Sequence, residues 1–273
     1  NTLKKSNLFN ILLIGFLFFA ESLFLSAGDQ IEFQISITLF FISVMLMLRP
    51  RFLIYSILFI LPNQRLFNIP HTDFSIINLL VLYLLFIQLH KNLRENRKLI
   101  IWYFLIVGYS LLNSFLNNDI LVPLHALKAI SVFIVFVTFY RDHMTSKKNS
   151  FSTIVLFFVA GVISASILSF FFNTEFTIDS FGTKQRFSGG DFNNANIFGF
   201  DISFALALVV INIFKTKQNL VLSFFSILLL LVFGLLTQSR SFYMISTLIL
   251  AAFAFKFNNL TGRKTAIPLL FTA

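Results

Sequence analysis

Long apolar segments separated by short polar ones run through the whole chain and predict a helical membrane protein. Most are near the roughly 20 residues that a helix needs to cross a bilayer, and they do not alternate as barrel strands do. We expect an all-α, polytopic integral membrane protein with about 10 or 11 transmembrane helices. The segments cover residues 8–27, 35–48, 52–61, 74–89, 99–116, 120–140, 151–172, 196–214, 220–236 and 242–255, and another begins near 266.

The composition agrees with a membrane protein and narrows the chemistry. The 273 residues are 57% hydrophobic and 12% charged, and the mean hydropathy is +0.86, whereas a soluble domain has about 25% charged residues. Cysteine is absent, which excludes disulfides and thiolate metal sites. We find no P-loop, nucleophile elbow or two-carboxylate metal motif, so we expect neither a metal nor a cofactor. The chain starts with Asn1, and its last apolar segment is cut at Ala273. We therefore expect residues 1–273 to be one transmembrane domain, in a fragment that lacks its C-terminal part.

The basic residues are unevenly divided between alternate gaps. The net charge is +10, which in a soluble protein would suggest nucleic acid as a partner. Here 16 of the 21 basic residues lie in the gaps that share the membrane side of the N-terminus, and Lys128 lies inside an apolar segment. By the positive-inside rule, the N-terminus should be cytoplasmic and nucleic acid should not be a partner. The opposite gaps hold only four: Arg65, Lys184, Arg186 and Arg240.

The longest polar interval, residues 173–199, should lie on the outer face of the membrane. A shorter polar island at 237–241 follows two apolar segments later, and therefore belongs to the same side. We expect these two intervals, with the loop 173–195 as the larger part, to form a polar site at the bilayer surface.

Arg186 precedes a glycine-containing stretch and then an apolar helix. Asn194 or Asn196 is a suitable N-cap, so a helix N-terminus with free N–H groups should point outward. Together with Gly190, which lets the backbone approach closely, and the guanidinium fork of Arg186, such an end suits a phosphate. The alternative is a capped helix that follows a solvated loop.

Arg240 lies between Ser239 and Ser241 at the predicted outer junction of two segments. It is either an interfacial arginine that extends toward water, or a second clamp on the same anion. Two arginines at one outer pocket could neutralise a diphosphate leaving group without a metal.

Lys128 and His125 share a face of the sixth apolar segment, since they are three residues apart. An ionisable residue inside a membrane span is a functional candidate. The alternatives for Lys128 are extension toward the outer interface or pairing with Asp201 or Glu21. Asp201 itself is expected to be a buried partner rather than a base.

Two of these stretches resemble motifs of the O-antigen ligase and polymerase superfamily of bacterial envelope glycosyltransferases. The first is Arg186 followed by the sequence GDFNNAN at 190–196. It is similar to the family's arginine followed by Gly-x-Phe-x-Asn-Pro-Asn, with Ala195 in place of the proline. TQSRS at 237–241 is similar to its Thr-x-Ser-Arg. The order of the motifs and the many-helix layout fit over most of the chain. The family usually has a further large outer loop, often with a functional histidine, that these residues do not include.

The resemblance implies a GT-C-like, multi-pass glycosyltransferase of the bacterial cytoplasmic (inner) membrane. Such an enzyme transfers or polymerises undecaprenyl-diphosphate-linked glycan at the outer face, in O-antigen, capsular polysaccharide or lipopolysaccharide biosynthesis. We prefer a polymerase over a ligase that joins glycan to lipid A-core. The implied partners are the lipid-linked glycan, the bilayer, a chain-length regulator and a flippase. The implied catalytic residues are Arg186 and Arg240, and the substrate-binding residues would be Gly190, Asn194, Asn196, Ser239, Ser241 and Lys128.

Two other classes stay open. A transporter or flippase for the same lipid-linked glycan should show internal repeats and broken helices near the midplane. No repeat is evident in the sequence, and the polar motifs lie at the surface. A noncatalytic assembly subunit would need neither Arg186 nor Arg240.

Overall fold

The computed structural model describes residues 2–27, 30–67, 75–91, 97–117, 150–172, 176–178, 185–187, 195–216 and 220–261. This part of the chain is mainly helical, as expected. A 3₁₀ segment, Leu61–Phe67, follows α3, and two short strands precede α7. The α-helices are α1 (Thr2–Ala27), α2 (Ile31–Met47), α3 (Pro50–Ile60), α4 (Ile76–Lys91), α5 (Arg97–Asn117), α6 (Ser150–Phe172), α7 (Ala195–Thr216), α8 (Leu220–Leu236) and α9 (Arg240–Thr261).

The helices coincide with the predicted apolar segments to within a few residues, except that α1 and α9 extend further. Three of them contain stretches long and apolar enough to cross a membrane: Leu8–Ala27, Phe151–Phe171 and Phe198–Lys215. The other apolar helices in the described ranges are shorter. The segments expected at 120–140 and from 266 lie outside the described residues, so the full number of spans stays a prediction.

Large apolar side chains cover much of the outer surface of the helices. Leu12, Phe40, Phe86 and Phe225 are each more than half exposed. A soluble protein rarely exposes such extended apolar surface. Together with the three long apolar helices, it supports a membrane-embedded protein.

The buried residues form two clusters, and α6 belongs to both. Phe157 of α6 packs into the first cluster with α1 to α4, and Tyr55 of α3 stacks on its ring at 5.1 Å between centroids. Val162 and Ala165 of α6 pack into the second cluster with α7, α8 and α9. Because α6 is apolar on all sides, it can occupy this central position.

Helix α3 is too short to span a bilayer and ends inside the protein. Its 11 residues correspond to about 16 Å at 1.5 Å per residue. Pro62 has no N–H to continue the helix, and buried Asn63 has non-helical torsions, φ −118° and ψ 31°, within the 3₁₀ segment. The sequence predicted this stop at Pro62, but not the helical turns that follow it.

Helices α1 and α3 run parallel. Near their starts the rings of Phe9 and Phe52 are 4.4 Å apart, and toward the other end the rings of Phe24 and Phe67 are 4.8 Å apart. This arrangement places the end of α3 beside the last third of α1.

The polar interval between α6 and α7 contains an antiparallel strand pair that the sequence did not suggest. Strand β1 (Phe176–Ile178) pairs with β2 (Gln185–Phe187), and Thr177 lies opposite Arg186. Strand β1 alternates apolar and polar residues, as an extended segment does, whereas β2 (Gln-Arg-Phe) does not.

Candidate functional site

The turn between α8 and α9 is held by its own hydroxyl groups. Gln238 adopts a positive φ of 49°, a conformation that non-glycine residues seldom adopt. Thr237 Oγ1 donates to the Gly234 carbonyl at 2.7 Å and accepts from the Ser239 N–H at 3.2 Å. Since Thr237 and Ser239 are both buried, these bonds fix the backbone from which α9 starts.

Ser239 is the N-cap of α9. Its carbonyl accepts from the Tyr243 N–H at 3.1 Å, and its Oγ lies 3.4 Å from the Phe242 N–H. This is the pattern by which a serine satisfies a free donor of the first turn. The Ser239 and Ser241 hydroxyls are 2.6 Å apart, so the two serines predicted to bind substrate are in direct contact.

Arg240 is the first residue of α9 and is exposed at this turn. Within the described part of the chain, no acidic side chain pairs with its guanidinium. Arg240 therefore adds a full positive charge to the positive end of the α9 dipole.

Gly199 places the start of α7 against the same turn. A Cβ at Gly199 would lie 2.6 Å from Ser239 Cβ and 2.8 Å from Ser239 Oγ. Because only glycine permits this approach, the first turns of α7 contact the turn that starts α9. The structure thus brings the first turns of α7, which follow the GDFNNAN stretch in the sequence, beside TQSRS.

The remaining predicted site residues are described only in part. Arg186 has a described backbone position in β2, and Asn196 is the second residue of α7. Because α7 begins at Ala195, Asn196 lies inside the helix and is not its N-cap. The side chains of Arg186 and Asn196 are not described, and Gly190, Asn194, His125 and Lys128 lie outside the described residues. A shared pocket for Arg186 and Arg240 stays a prediction.

Three basic residues at the opposite end of the bundle lie against aromatic rings. Lys215 is 4.4 Å from the centroid of Phe151, and Lys256 is 4.8 Å from the centroid of Phe214. Arg51 Nε donates to the Tyr55 hydroxyl at 2.9 Å. This end is the one predicted to face the cytoplasm, so Arg240 is separated from these cations by the length of the helices.

The structure contains a buried polar cluster that was not predicted from the sequence. Glu21 of α1 is fully buried, and Ser164 of α6 donates a hydrogen bond to its Oε2. Its Oε1 has no hydrogen-bond partner among the described residues. Asn63 is also fully buried and lies beside the same carboxyl group, but its amide group is not oriented to form a hydrogen bond with it. The signal in the sequence was an acid inside an apolar segment, but nothing in it indicated the partners.

Asp201 of α7 is half-buried and forms no ion pair with a described residue. Its predicted pairing with Lys128 depends on a residue outside the described ranges. No group of three or more potential metal-ligating side chains (His, Cys, Asp or Glu) occurs among the described residues.

A cavity of about 540 Å³ lies between α1, α6, α7 and α8. It contacts the second half of α7 and the first half of α8, which places it away from the Arg240 end. Its walls are mainly apolar, with a few hydroxyl and amide groups. Representative lining residues are Phe18, Val159, Ser164, Val209, Asn212 and Leu229.

A scan of protein-family models and searches of curated proteins and of solved structures gave no significant match to this chain. The residues that the structure describes define a mainly helical protein, and three of their helices are able to span a membrane.

Proposed function

We propose that this protein is a membrane glycosyltransferase that acts on undecaprenyl-diphosphate-linked glycan at the outer face of the bacterial cytoplasmic membrane, with polymerisation as its reaction. The observation that supports this most is the contact between Gly199 and Ser239. It brings the N-terminal turns of α7 and α9 together, so two positive helix ends converge at one end of the bundle.

Converging helix N-termini favour an anion. Each carries a partial positive charge, and phosphate groups bind at such ends. Arg240 adds a guanidinium that can bond two phosphate oxygens at once, and the Ser241 hydroxyl lies in the same first turn. A lipid-linked diphosphate meets these requirements, since its anionic group lies at the membrane surface.

The proposed reaction is a displacement at the sugar. An acceptor hydroxyl attacks the anomeric carbon, the glycosidic C–O bond to the diphosphate breaks, and undecaprenyl diphosphate leaves. Arg240, with Arg186 as its proposed partner, would stabilise the negative charge that develops on the leaving oxygen. The proton of the acceptor hydroxyl passes to a base that we do not assign.

The test uses the complete gene in a strain that lacks it. Arg240→Ala and Arg186→Ala are introduced singly, insertion into the membrane is confirmed, and surface glycan is separated by ladder electrophoresis. If long chains are lost and the core carries a single repeat unit, the protein is a polymerase. If all attached glycan is lost and lipid-linked polymer accumulates, it is a ligase. Lys256→Ala is the matched control, because it removes a cation at the opposite end. Unchanged ladders in both arginine variants would contradict the proposal.

A transporter of lipid-linked glycan is the second candidate, and one observation favours it. Helix α3 breaks inside the protein beside a buried acid, and broken helices with polar groups are typical of secondary transporters. In that case, Arg240→Ala would lower the amount of lipid-linked glycan that reaches the outer face. Polymerisation of lipid-linked units supplied directly at that face would be unchanged.

A further inference from the structure

We propose that Glu21, Asn63, Ser164 and the carbonyl end of α3 form a binding site for a monovalent cation, with Na⁺ as the ion. This inference concerns a different part of the molecule from the Arg240 turn and does not depend on the proposed glycosyltransferase activity.

The first argument is the state of the Glu21 carboxyl group. It is fully buried, one oxygen accepts from Ser164, and the other has no partner in the described part of the chain. A buried carboxylate is costly unless a positive charge compensates it. No described basic side chain forms an ion pair with it, so a bound cation would supply the missing charge.

The second argument is the neighbouring Asn63. Its side chain is fully buried, and both its amide oxygen and its amide nitrogen lack hydrogen-bond partners among the described residues. Native proteins rarely leave buried polar atoms unpaired. The amide oxygen is a suitable ligand for a hard cation, which prefers carboxylate, carbonyl and hydroxyl oxygens.

The third argument is the end of α3. Pro62 has no N–H, so it cannot donate to the Leu58 carbonyl as the residue four positions on normally would. The Phe59 carbonyl points at α6, since its oxygen lies against Gly161, where a Cβ would clash with it, and Ser164 follows three residues later. The carbonyl end of a helix carries partial negative charge. This charge disfavours a bare carboxylate at Glu21 and favours a cation between the two.

A single positive charge on the ion would make the buried site electrically neutral. One carboxylate balances one positive charge, whereas a divalent ion would leave an uncompensated charge in the buried core. A proton on Glu21 would also balance it, but one O–H group bonds a single acceptor. A metal cation contacts the carboxylate, hydroxyl, amide and carbonyl oxygens together.

The cavity lies next to the site. Ser164 lines it and also bonds Glu21, and Phe18, one turn before Glu21 on α1, lies in its wall. Ser152, Asn212, Ser223 and Ser226 place polar groups along the same cavity.

The test measures the thermal unfolding of the purified full chain in lipid nanodiscs at fixed pH, while NaCl replaces choline chloride at constant ionic strength. We expect Tm to rise by several degrees with Na⁺, in proportion to the logarithm of its concentration above Kd, because a ligand that binds only the folded state stabilises it. Glu21→Gln, which keeps the side-chain size, should abolish the rise. Ser164→Ala should require about tenfold more Na⁺ for the same rise in Tm, equivalent to about 1.4 kcal/mol.

Ser166→Ala is the matched control. Ser166 lies on the same helix and is equally buried, but its hydroxyl donates to its own helix at the Val162 carbonyl. The control should keep the wild-type Na⁺ response. If Glu21→Gln does not fold, saturable binding of ²²Na⁺ to the wild type, with no competition by choline, supports the site.

Three results would overturn the proposal. They are a Tm that does not depend on Na⁺, an equal response to Na⁺ and choline, and a full Na⁺ response in Glu21→Gln. Stabilisation by acid alone, with no effect of Na⁺, would identify a protonated carboxyl instead of a cation site.

Discussion

Gly199 of α7 lies so close to Ser239 that a methyl group at residue 199 would be 2.6 Å from the Ser239 Cβ. The two residues belong to different helices, and each is within two turns of a helix N-terminus. Their contact determines how near the positive ends of α7 and α9 lie to each other, and the proposed diphosphate site depends on it.

Gly199→Ala should therefore separate the two helix ends. The added Cβ would meet Ser239 Cβ and Oγ at 2.6 and 2.8 Å, and inserting a methyl group into a packed site costs about 1–3 kcal/mol. We expect a lower Tm in detergent and shorter glycan chains. Gly108→Ala is the control, because a Cβ there meets nothing within 4 Å and alanine favours a helix by up to about 1 kcal/mol. Equal stability of Gly199→Ala and the wild type would contradict the close contact.

Gly161→Ala should destabilise the protein more than Gly234→Ala. At Gly161 the new Cβ would clash with the backbone oxygen of Phe59, so α3 and α6 would have to move apart. At Gly234 it would meet the ring of Phe242, a side chain that can rotate. We expect a loss of about 3 kcal/mol or more at Gly161 and a smaller loss at Gly234. Thermal unfolding of both variants measures the order, and the reverse order would show that the α3–α6 contact is looser than described.

Ser239→Ala removes the N-cap of α9 and the partner of the Ser241 hydroxyl. Loss of a serine cap costs about 1 kcal/mol. We expect a lower Tm and shorter glycan chains, because Ser239 is fully buried against Gly199 and its hydroxyl fixes the start of α9. Ser226→Ala is the control, since its hydroxyl only bonds the Leu222 carbonyl of its own helix. An unchanged Tm in Ser239→Ala would contradict the capping role of Ser239.

The sequence predicted the helices well, because their length and apolar character are local properties. It also predicted that α3 would stop near Pro62, since proline lacks the donor that a helix needs. It did not predict which helices pack together. Helix α6 is apolar on every side, so no face of it could be recognised as the one that contacts α3 or α7.

The candidate site was predicted only in part, because the sequence does not show which residues of different helices come together. Ser239, Arg240 and Ser241 were recognised because they are polar residues between apolar segments. Gly199 was not, because its importance lies in what a Cβ would meet on another helix. The cluster of Glu21, Asn63 and Ser164 joins residues that are up to 143 positions apart, and such a contact has no local signal.

Binding of undecaprenyl diphosphate to the purified protein in nanodiscs tests the central proposal most directly. We expect Arg240→Ala to bind it at least about tenfold more weakly than the wild type, a loss of about 1.4 kcal/mol or more. Arg240→Lys should fall between the two, since lysine keeps the charge but not the forked geometry, and Lys256→Ala should bind like the wild type. Equal affinity of Arg240→Ala and the wild type would contradict a diphosphate site at the meeting point of α7 and α9.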